Sequence, residues 1–352
     1  MTKAAVVSGF WAQNIGNAFF NIGGKWILEQ VFGENQVQFF QDAPAYRTFY
    51  PKHKGNPVKW ANLIKDLDVE YLVLQGPMLT TTVSQIWAET LLEHRKRGVK
   101  LILLGCGLFK YTKEEISSAR SFVETFKPSL VSTRDSVTYR SIKDLVPVMY
   151  DGIDSAFFAP RTFKPLSFIG QPYYVFNFDR YPEPTIKIEA TDNPNDASFM
   201  HDDMAWHLQT PKLQSILSHK GKIHAYLGHL LDFRKLPIEL GLRRIIRTEH
   251  RYMPHMTHKI YQHPNSVVSD EAFTYLSIYA NSTLTLADRV HACVATLAYG
   301  NPAMLFTPSK RQSLFDRLGL ESIRNKPTQL DPTYLKEEQD KQIEFIGNAL
   351  RR

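Results

Sequence analysis

The chain has 352 residues, of which 43% are hydrophobic and 22% are charged, as in an ordinary globular protein. This composition excludes a largely disordered chain and a fibrous or coiled-coil protein, and the length predicts two domains. Lys and Arg total 42 against 35 for Asp and Glu, a net charge of +7, which favours an anionic ligand, nucleic acid or an acidic membrane surface.

The first half of the chain alternates short apolar runs with amphipathic segments. Strands are predicted at residues 4–8, 37–40, 71–74, 99–104, 130–132 and 146–150, and helices at 26–32, 60–67, 84–96, 113–126 and 135–145. Apolar strands that alternate with helices predict a parallel sheet covered on both faces. Such sheets bind ligands at the carboxyl ends of their strands, so the tips after Ser8, Leu74 and Leu104 are expected to line a crevice.

A proline-bearing linker around residues 160–172 leads into a second α/β region. We predict strands at 173–178, 223–227, 284–286 and 303–306, helices at 270–280, 290–299 and 333–352, and a long polar loop at 186–203. The Arg-rich stretch 243–251 is interpreted as a solvated face in preference to part of an anion site. We therefore expect two Rossmann-like α/β domains that face across a cleft, over residues 1–160 and 161–330. A C-terminal helix over 331–352 closes the structure, and a return to the first domain is one arrangement for it.

Cysteine content and hydropathy predict the compartment. Cys106 and Cys293 are too few for a disulfide framework. The N-terminal apolar run is too short for a signal peptide, and no window reaches the ~18 consecutive apolar residues of a membrane helix. We expect a cytoplasmic protein. Peripheral association with the inner face of a membrane is compatible with the basic, aromatic composition, and the sequence leaves the oligomeric state open.

The strongest local signal lies at the start of the predicted helix 290–299. Arg289 and His291 precede and open this helix, which ends at Gly300 with Pro302 behind it. A helix start attracts anions, an arginine binds phosphate or carboxylate with two parallel hydrogen bonds, and a histidine exchanges protons near neutral pH. An equally weighted alternative is structural, with Arg289 paired to Asp288 and His291 satisfied in the core.

The spacing of Arg289, His291, Gly300 and Pro302 resembles the C-terminal signature of the polysaccharide pyruvyl transferases. Weaker similarities cover most of the chain: the Asn-Ile-Gly-Asn turn at residues 14–17, the Arg-Asp element at 134–135, and Asp151 before the linker. The sequence departs from the family at Asn17, where Asp is usual, and at Gln75, where a glycine-rich tip is common. The resemblance implies a GT-B-like fold. It also implies transfer of pyruvate from phosphoenolpyruvate to two sugar hydroxyls as a ketal, in an exopolysaccharide, a capsule or a lipid-linked precursor.

The resemblance also implies a set of site residues. Arg289 and His291 are expected to be catalytic, Arg289 as a clamp on an anionic group of the donor and His291 as a donor ligand or general acid/base. The expected donor site consists of Arg289, Val290, His291, Arg134 and His224, and the expected acceptor site of Asn14, Gly16, Asn17 and Gln75. Structural alternatives stay open: a pair between Arg134 and Asp135, a core position for His224, and a simple turn at residues 14–17.

The absence of several known sequence motifs limits the cofactors and partners that we expect. No P-loop and no dinucleotide-binding glycine pattern is present, so we expect no cofactor, with phosphoenolpyruvate as co-substrate. The histidines at 250, 255, 258 and 263 lack the spacing of a metal site, and metal binding is disfavoured. The basic residues are scattered, which argues against nucleic acid. The expected partners are phosphoenolpyruvate and a sugar or lipid-linked oligosaccharide.

Two further functions stay open at this point. A nucleotide-sugar glycosyltransferase would share the two-domain GT-B architecture, and fold alone does not give function. An inactive family member that binds glycan or protein is the second alternative, motivated by the departures at Asn17 and Gln75.

Overall fold

The fold is seen in a computed structural model of the chain. It describes residues 3–9, 14–41, 63–179, 181–191, 197–212, 216–217, 224, 227–228, 231–232, 234–250, 263–306 and 310–351. A parallel sheet in the first half of the chain and a mostly parallel sheet in the second dominate these residues.

The first half forms a six-stranded parallel sheet. Its strands are β1 Ala4–Ser8, β2 Val37–Gln41, β3 Tyr71–Gln75, β4 Lys100–Cys106, β5 Leu130–Thr133 and β6 Met149–Asp151, in the spatial order β2-β1-β3-β4-β5-β6. The central strands are apolar throughout because helices cover both faces of the sheet. Pro147 lies just before the edge strand β6, where its missing N–H is tolerated.

Four helices cover this sheet: α1 Gly16–Phe32, α2 Val83–Lys96, α3 Lys113–Phe126 and α4 Ser136–Ile142. Alternate residues of β1 serve different cores, with Val6 packed on one side and Val7 on the other. Side-chain caps fix two helix starts. Thr112 accepts from Glu115 N at the start of α3, and Asp135 accepts from Thr138 N at the start of α4.

The second half forms a smaller sheet around the central strand β7. Its strands are β7 Tyr173–Asn177, β11 Glu239–Leu240, β12 Arg243–Thr248, β13 Ser266–Val267, β14 Leu284–Ala287 and β15 Ala303–Leu305, in the order β11-β12-β7-β14-β15 with β13 on β12. All pairs are parallel except β11 with β12. The helices of this half and its flanks whose bounds lie wholly within the described residues are α5 Ala159–Thr162, α6 Ala272–Ala280, α7 Val290–Ala298, α8 Ser313–Asp316 and α9 Pro332–Leu350.

The predicted loop at residues 186–203 is wrong where the structure describes it. Strands β8 Thr185–Glu189, β9 Phe199–His201 and β10 Met204–Gln209 form an antiparallel sheet over one face of the second half. Ile186 and Ile188 are more buried than their neighbours, which is the alternation of a half-buried strand. Residues 192–196 lie outside the described residues.

Two further predictions in the second half are wrong. Residues 224, 227 and 228 are helical, so the strand expected at 223–227 is absent from the described positions. The stretch expected to be a solvated face contains β12, whose Arg247 and Thr248 are buried. Arg247 donates to both carboxylate oxygens of Glu183, at 2.8 and 2.7 Å, and this distant partner explains how an arginine enters the interior.

The final helix α9 packs against the first half of the chain. Gln342 Oε1 accepts from Ile153 N at 2.8 Å, and Gln339 Nε2 donates to Phe157 O at 2.7 Å. These bonds hold the segment after β6, which carries part of the site described below. No helix among the described residues has the length and apolar character needed to cross a membrane.

Candidate active site

The two halves meet at the carboxyl ends of their sheets, through the first residue of α1. Ile15 N donates to His250 O at 2.8 Å, which ties the loop after β1 to the end of β12. A Cβ added at Gly16 would lie 3.1 Å from His250 Nδ1 and 3.2 Å from His291 Cβ. This close approach explains why a glycine opens the helix, and it places the predicted acceptor turn against the predicted catalytic histidine.

A buried carboxylate links the two halves at His291. Asp154 Oδ2 lies 3.5 Å from His291 Nε2 and 3.4 Å from Arg134 Nη1, and all three side chains are at most 7% exposed. Asp154 Oδ1 accepts from Ala156 N at 2.9 Å. Burial opposes ionisation of Asp154, yet the adjacent His291 and Arg134 hold its pKa down at about 2. Asp154 is therefore an ionised carboxylate that faces the His291 imidazole at ion-pair distance.

Arg134 is completely buried beneath this cluster. A Cβ at Gly107 would lie 2.6 Å from Arg134 Nε, so the glycine after β4 makes room for the guanidinium. Its carboxylate partner is Asp154, whereas Asp135 caps α4 and accepts from the Tyr111 hydroxyl at 3.0 Å. The Arg134–Asp135 pair considered as an alternative is therefore not found. Arg134 instead pairs with Asp154, the carboxylate that faces His291.

Arg289 has partial access to solvent, its side chain being 18% exposed. It forms an ion pair with Asp179, which follows β7, and lies 3.8 Å from Asp288 Oδ1. Asp179 is therefore the closer partner of Arg289. Asp288, the partner expected in the structural alternative, makes the weaker contact. Arg289 immediately precedes α7, and Val290 is its first residue. The guanidinium and the positive end of the helix therefore lie together.

Glu249 and His250 bring two more ionisable groups to the same edge. Glu249 is 3% exposed, and burial together with the nearby Asp179 raises its pKa to about 8. Burial lowers the pKa of His250 to about 3, and His250 Nε2 is 2.5 Å from the Tyr279 hydroxyl. Both belong to the stretch that the sequence assigned to a solvated face, and that assignment is wrong for these residues.

Two of the four predicted acceptor residues, Asn17 and Gln75, line a cavity of about 350 Å³ at the carboxyl edge of the first sheet. It is lined by Val7, Gly9, Asn17, Phe20, Leu74, Gln75, Pro77, Met78, Thr80, Thr81, Thr82, Ile86, Trp87, Phe109, Lys110 and Glu115. Asn14 Nδ2 donates to Asn17 Oδ1 at 3.1 Å. The cavity combines hydroxyl, amide and aromatic groups, and its volume is in the range of small-molecule sites.

Gln75 has a structural part in this wall. Its Nε2 donates to Phe20 O at 2.6 Å, and its Oε1 accepts from Ser8 Oγ at 3.2 Å. A Cβ at Gly24 would lie 1.8 Å from Gln75 Nε2. Gln75 therefore occupies the place of a missing side chain on α1 and holds that helix against β1 and β3.

The structure brings together all of the predicted site residues except His224. His224 is exposed and helical, so the strand expected around it and its alternative core position are both wrong, and its part in the donor site stays a prediction. Sequence reasoning missed Asp154, Asp179, Glu249 and His250. Asp154 lies three residues beyond Asp151, the acid singled out in the sequence, and Asp151 instead accepts from Ser136 Oγ at 2.7 Å.

Metal ligation finds no support in the described part of the chain. Within it, no group of three or more His, Cys, Asp or Glu side chains is placed to hold a metal ion. Of the four clustered histidines, His255 and His258 lie outside the described residues.

Several solved structures share the overall fold of this chain. MnaA from S. aureus, in a co-structure with UDP, has a TM-score of 0.51 and 11% identity and covers 100% of this chain and 98% of its own. A candidate UDP-N-acetylglucosamine 2-epimerase from Listeria monocytogenes has a TM-score of 0.50 and 10% identity and covers 95% and 94%. At this identity the likeness shows the fold alone, which is GT-B-like.

Comparison with sequence families identifies this chain more specifically than its fold does. A search of curated proteins found no significant match. The family model for polysaccharide pyruvyl transferase matches residues 14–310, a span that begins at the acceptor turn and includes Arg134, Asp154, Arg289 and His291. The chain therefore belongs to the polysaccharide pyruvyl transferase family.

Proposed function

We propose that the protein transfers pyruvate from phosphoenolpyruvate to two hydroxyls of one sugar residue, in a polysaccharide or its lipid-linked precursor, and forms a pyruvyl ketal. The observation that carries this proposal is the junction at Gly16, where the acceptor turn lies against His291 at the start of α7. Family membership supplies the reaction class.

Donor binding is assigned to the start of α7. Phosphoenolpyruvate carries a phosphate and a carboxylate, and Arg289 offers a planar guanidinium beside the positive end of a helix. Asp179 pairs with Nε of the guanidinium, and we assign the donor anion to its terminal nitrogens. Val290 contributes backbone at this helix start.

The ketal forms in balanced steps. A proton adds to the methylene carbon of phosphoenolpyruvate, which makes C2 electrophilic, and a sugar hydroxyl attacks C2 and loses its proton. The C2–O bond to phosphate then breaks, and a second hydroxyl closes the ring while its proton leaves with phosphate. His291, held by the Asp154 carboxylate, is placed to bind the donor or to accept a hydroxyl proton.

The acceptor is assigned to the cavity beside Asn17. Its hydroxyl and amide groups suit sugar hydroxyls, and Phe109, which is 42% exposed, offers an aromatic face. This cavity shares Asn17 with the acceptor turn, and we therefore assign to it the sugar that receives pyruvate.

Donor preference tests the proposal against a nucleotide-sugar enzyme. Phosphoenolpyruvate is expected to raise the Tm of the protein, and phosphate release from it is expected to require an added glycan. Stabilisation by UDP or UDP-sugars without any response to phosphoenolpyruvate would contradict the proposal. Arg243→Ala is the matched control for donor variants, because Arg243 starts β12 at the opposite end of the sheet.

A further inference from the structure

One ionisable side chain at the junction of the two sheets has no part in the contacts described above. Glu249 follows β12 directly, is 3% exposed, and its buried Oε2 has no hydrogen-bond partner among the residues that the structure describes. An unpaired buried carboxylate is costly, so a carboxyl retained there points to a role other than stability.

The backbone around Glu249 is held rigidly. Tyr275 Oη donates to Glu249 O at 2.7 Å, and the next amide, His250 N, donates to Asp179 Oδ2 at 3.3 Å. One residue earlier, Thr248 O accepts from Asn177 Nδ2 at 2.8 Å. The carboxyl is therefore presented from a fixed strand end, beside the Asp179–Arg289 pair, rather than from a free loop.

The charged groups around Glu249 favour its neutral form. Burial has the largest effect, Asp179 and Asp288 add to it, and Arg289 opposes it, with the result that the pKa is about 8. His250 is uncharged at neutral pH because burial lowers its pKa to about 3. The other acids at this edge have partners of their own: Asp179 holds Arg289, Asp154 holds His291, and Asp288 accepts from Tyr181 N at 2.7 Å.

We propose that Glu249 is the general acid that delivers the proton to the methylene carbon of phosphoenolpyruvate, a role that rests on the pyruvyl transfer proposed above. The carboxyl O–H bond breaks as the new C–H bond forms, and the methylene group becomes the methyl group of the ketal. Glu249 is left as a carboxylate beside Arg289 and regains a proton from the first acceptor hydroxyl or from water. Reaction in D2O is therefore expected to place deuterium in the ketal methyl group.

The test compares Glu249→Gln, which keeps size and removes acidity, with Glu249→Asp and with the exposed control Glu239→Gln. We expect Glu249→Gln to lower kcat by about 10²-fold or more with little change in the KM for phosphoenolpyruvate, and Glu249→Asp to restore part of the loss. The wild-type rate should fall as pH rises through about 8, since the acid loses its proton, and the residual activity of Glu249→Gln should lack this decline. If Glu249 had a purely structural role, the Glu249→Gln variant would still show the alkaline decline in rate. Wild-type kcat in Glu249→Gln, or an unchanged alkaline decline, would overturn the proposal.

A second measurement separates this proposal from the parent function. The infrared difference spectrum between wild type and Glu249→Gln should show a protonated carboxyl band at pH 7 that vanishes well above pH 8, whatever the enzyme turns over. Absence of that band would overturn the role of Glu249 even in an active pyruvyl transferase. Presence of the band in a protein that forms no ketal with any acceptor would refute the pyruvyl transfer, and with it the assigned reaction step.

Discussion

His291 Nε2 lies 3.5 Å from Asp154 Oδ2, so a histidine of the second half faces a buried carboxylate of the first at ion-pair distance. Arg134 contacts the same carboxylate oxygen at 3.4 Å from below. The geometry of the site therefore depends on how the two halves pack together. A substitution in either half is expected to change the position of His291.

Asp154→Asn is expected to lower kcat by about 10²-fold, because the amide keeps the size of the side chain and removes the charge that orients His291. Asp154→Ala should also lower the free energy of unfolding by about 3–5 kcal/mol, since it leaves Arg134 buried without a carboxylate. Steady-state kinetics and urea unfolding check the two effects. Asp151→Asn is the control, and a comparable loss of kcat in that variant would remove the special role of Asp154.

Arg289→Lys is expected to raise the KM for phosphoenolpyruvate by about tenfold or more, because a lysine keeps the charge and loses the two-point contact with an oxyanion. Arg289→Ala should lose more activity and also some stability, since Asp179 is fully buried and would lose its partner. Kinetics and calorimetric titration with phosphoenolpyruvate measure the effect. Unchanged donor affinity in Arg289→Lys, relative to Arg243→Ala, would contradict donor binding at this residue.

His250 predicts a pH dependence of stability. Its pKa is lowered from the ordinary 6.5 to about 3 in the folded state, so its stabilising effect is present above pH 6.5 and is lost as pH falls toward 3. The unfolding free energy of wild type minus that of His250→Gln should therefore fall by about 1.4 kcal/mol per pH unit below 6.5. Glu249, whose pKa is raised, has the opposite slope, and it cancels in this difference because both proteins contain it. Urea unfolding from pH 7.5 to 5 provides the test, and a constant difference would contradict the assignment.

Gly23 tests the contact between α1 and the segment that carries Asp154. A Cβ there would lie 1.9 Å from Ser155 O, a backbone atom, so Gly23→Ala must displace the segment next to Asp154. We expect a loss of more than about 2 kcal/mol in unfolding free energy, as for other overpacked sites, together with reduced kcat. Gly347→Ala in α9 is the matched control, because a Cβ there meets nothing within 4 Å. It should be neutral or stabilise by up to about 1 kcal/mol, and equal losses in the two variants would contradict the steric argument.

The sequence predicted most elements of the two parallel sheets because buried parallel strands are continuous apolar runs. The prediction was wrong at β8 and β9, because their polar residues were taken for a loop. It was also wrong at β12, because the sequence does not show that the distant Glu183 neutralises Arg247. The site showed the same limit. Arg289 and His291 could be predicted because they lie close together in sequence at a helix start. Asp154, Asp179 and Glu249 are distant in sequence, and only the fold brings them together, where three strand ends meet the first helix.

The direct test of the central claim is transfer of labelled pyruvate. The protein is incubated with uniformly carbon-13-labelled phosphoenolpyruvate and a panel of synthetic and lipid-linked oligosaccharides, and the glycans are analysed by mass spectrometry. We expect a glycan that gains one pyruvate less one water, carries three labelled carbons and appears with an equal amount of phosphate, while Arg289→Ala gives none. Phosphate release without any labelled glycan, or a glycosyl product that forms only from a nucleotide sugar, would contradict it.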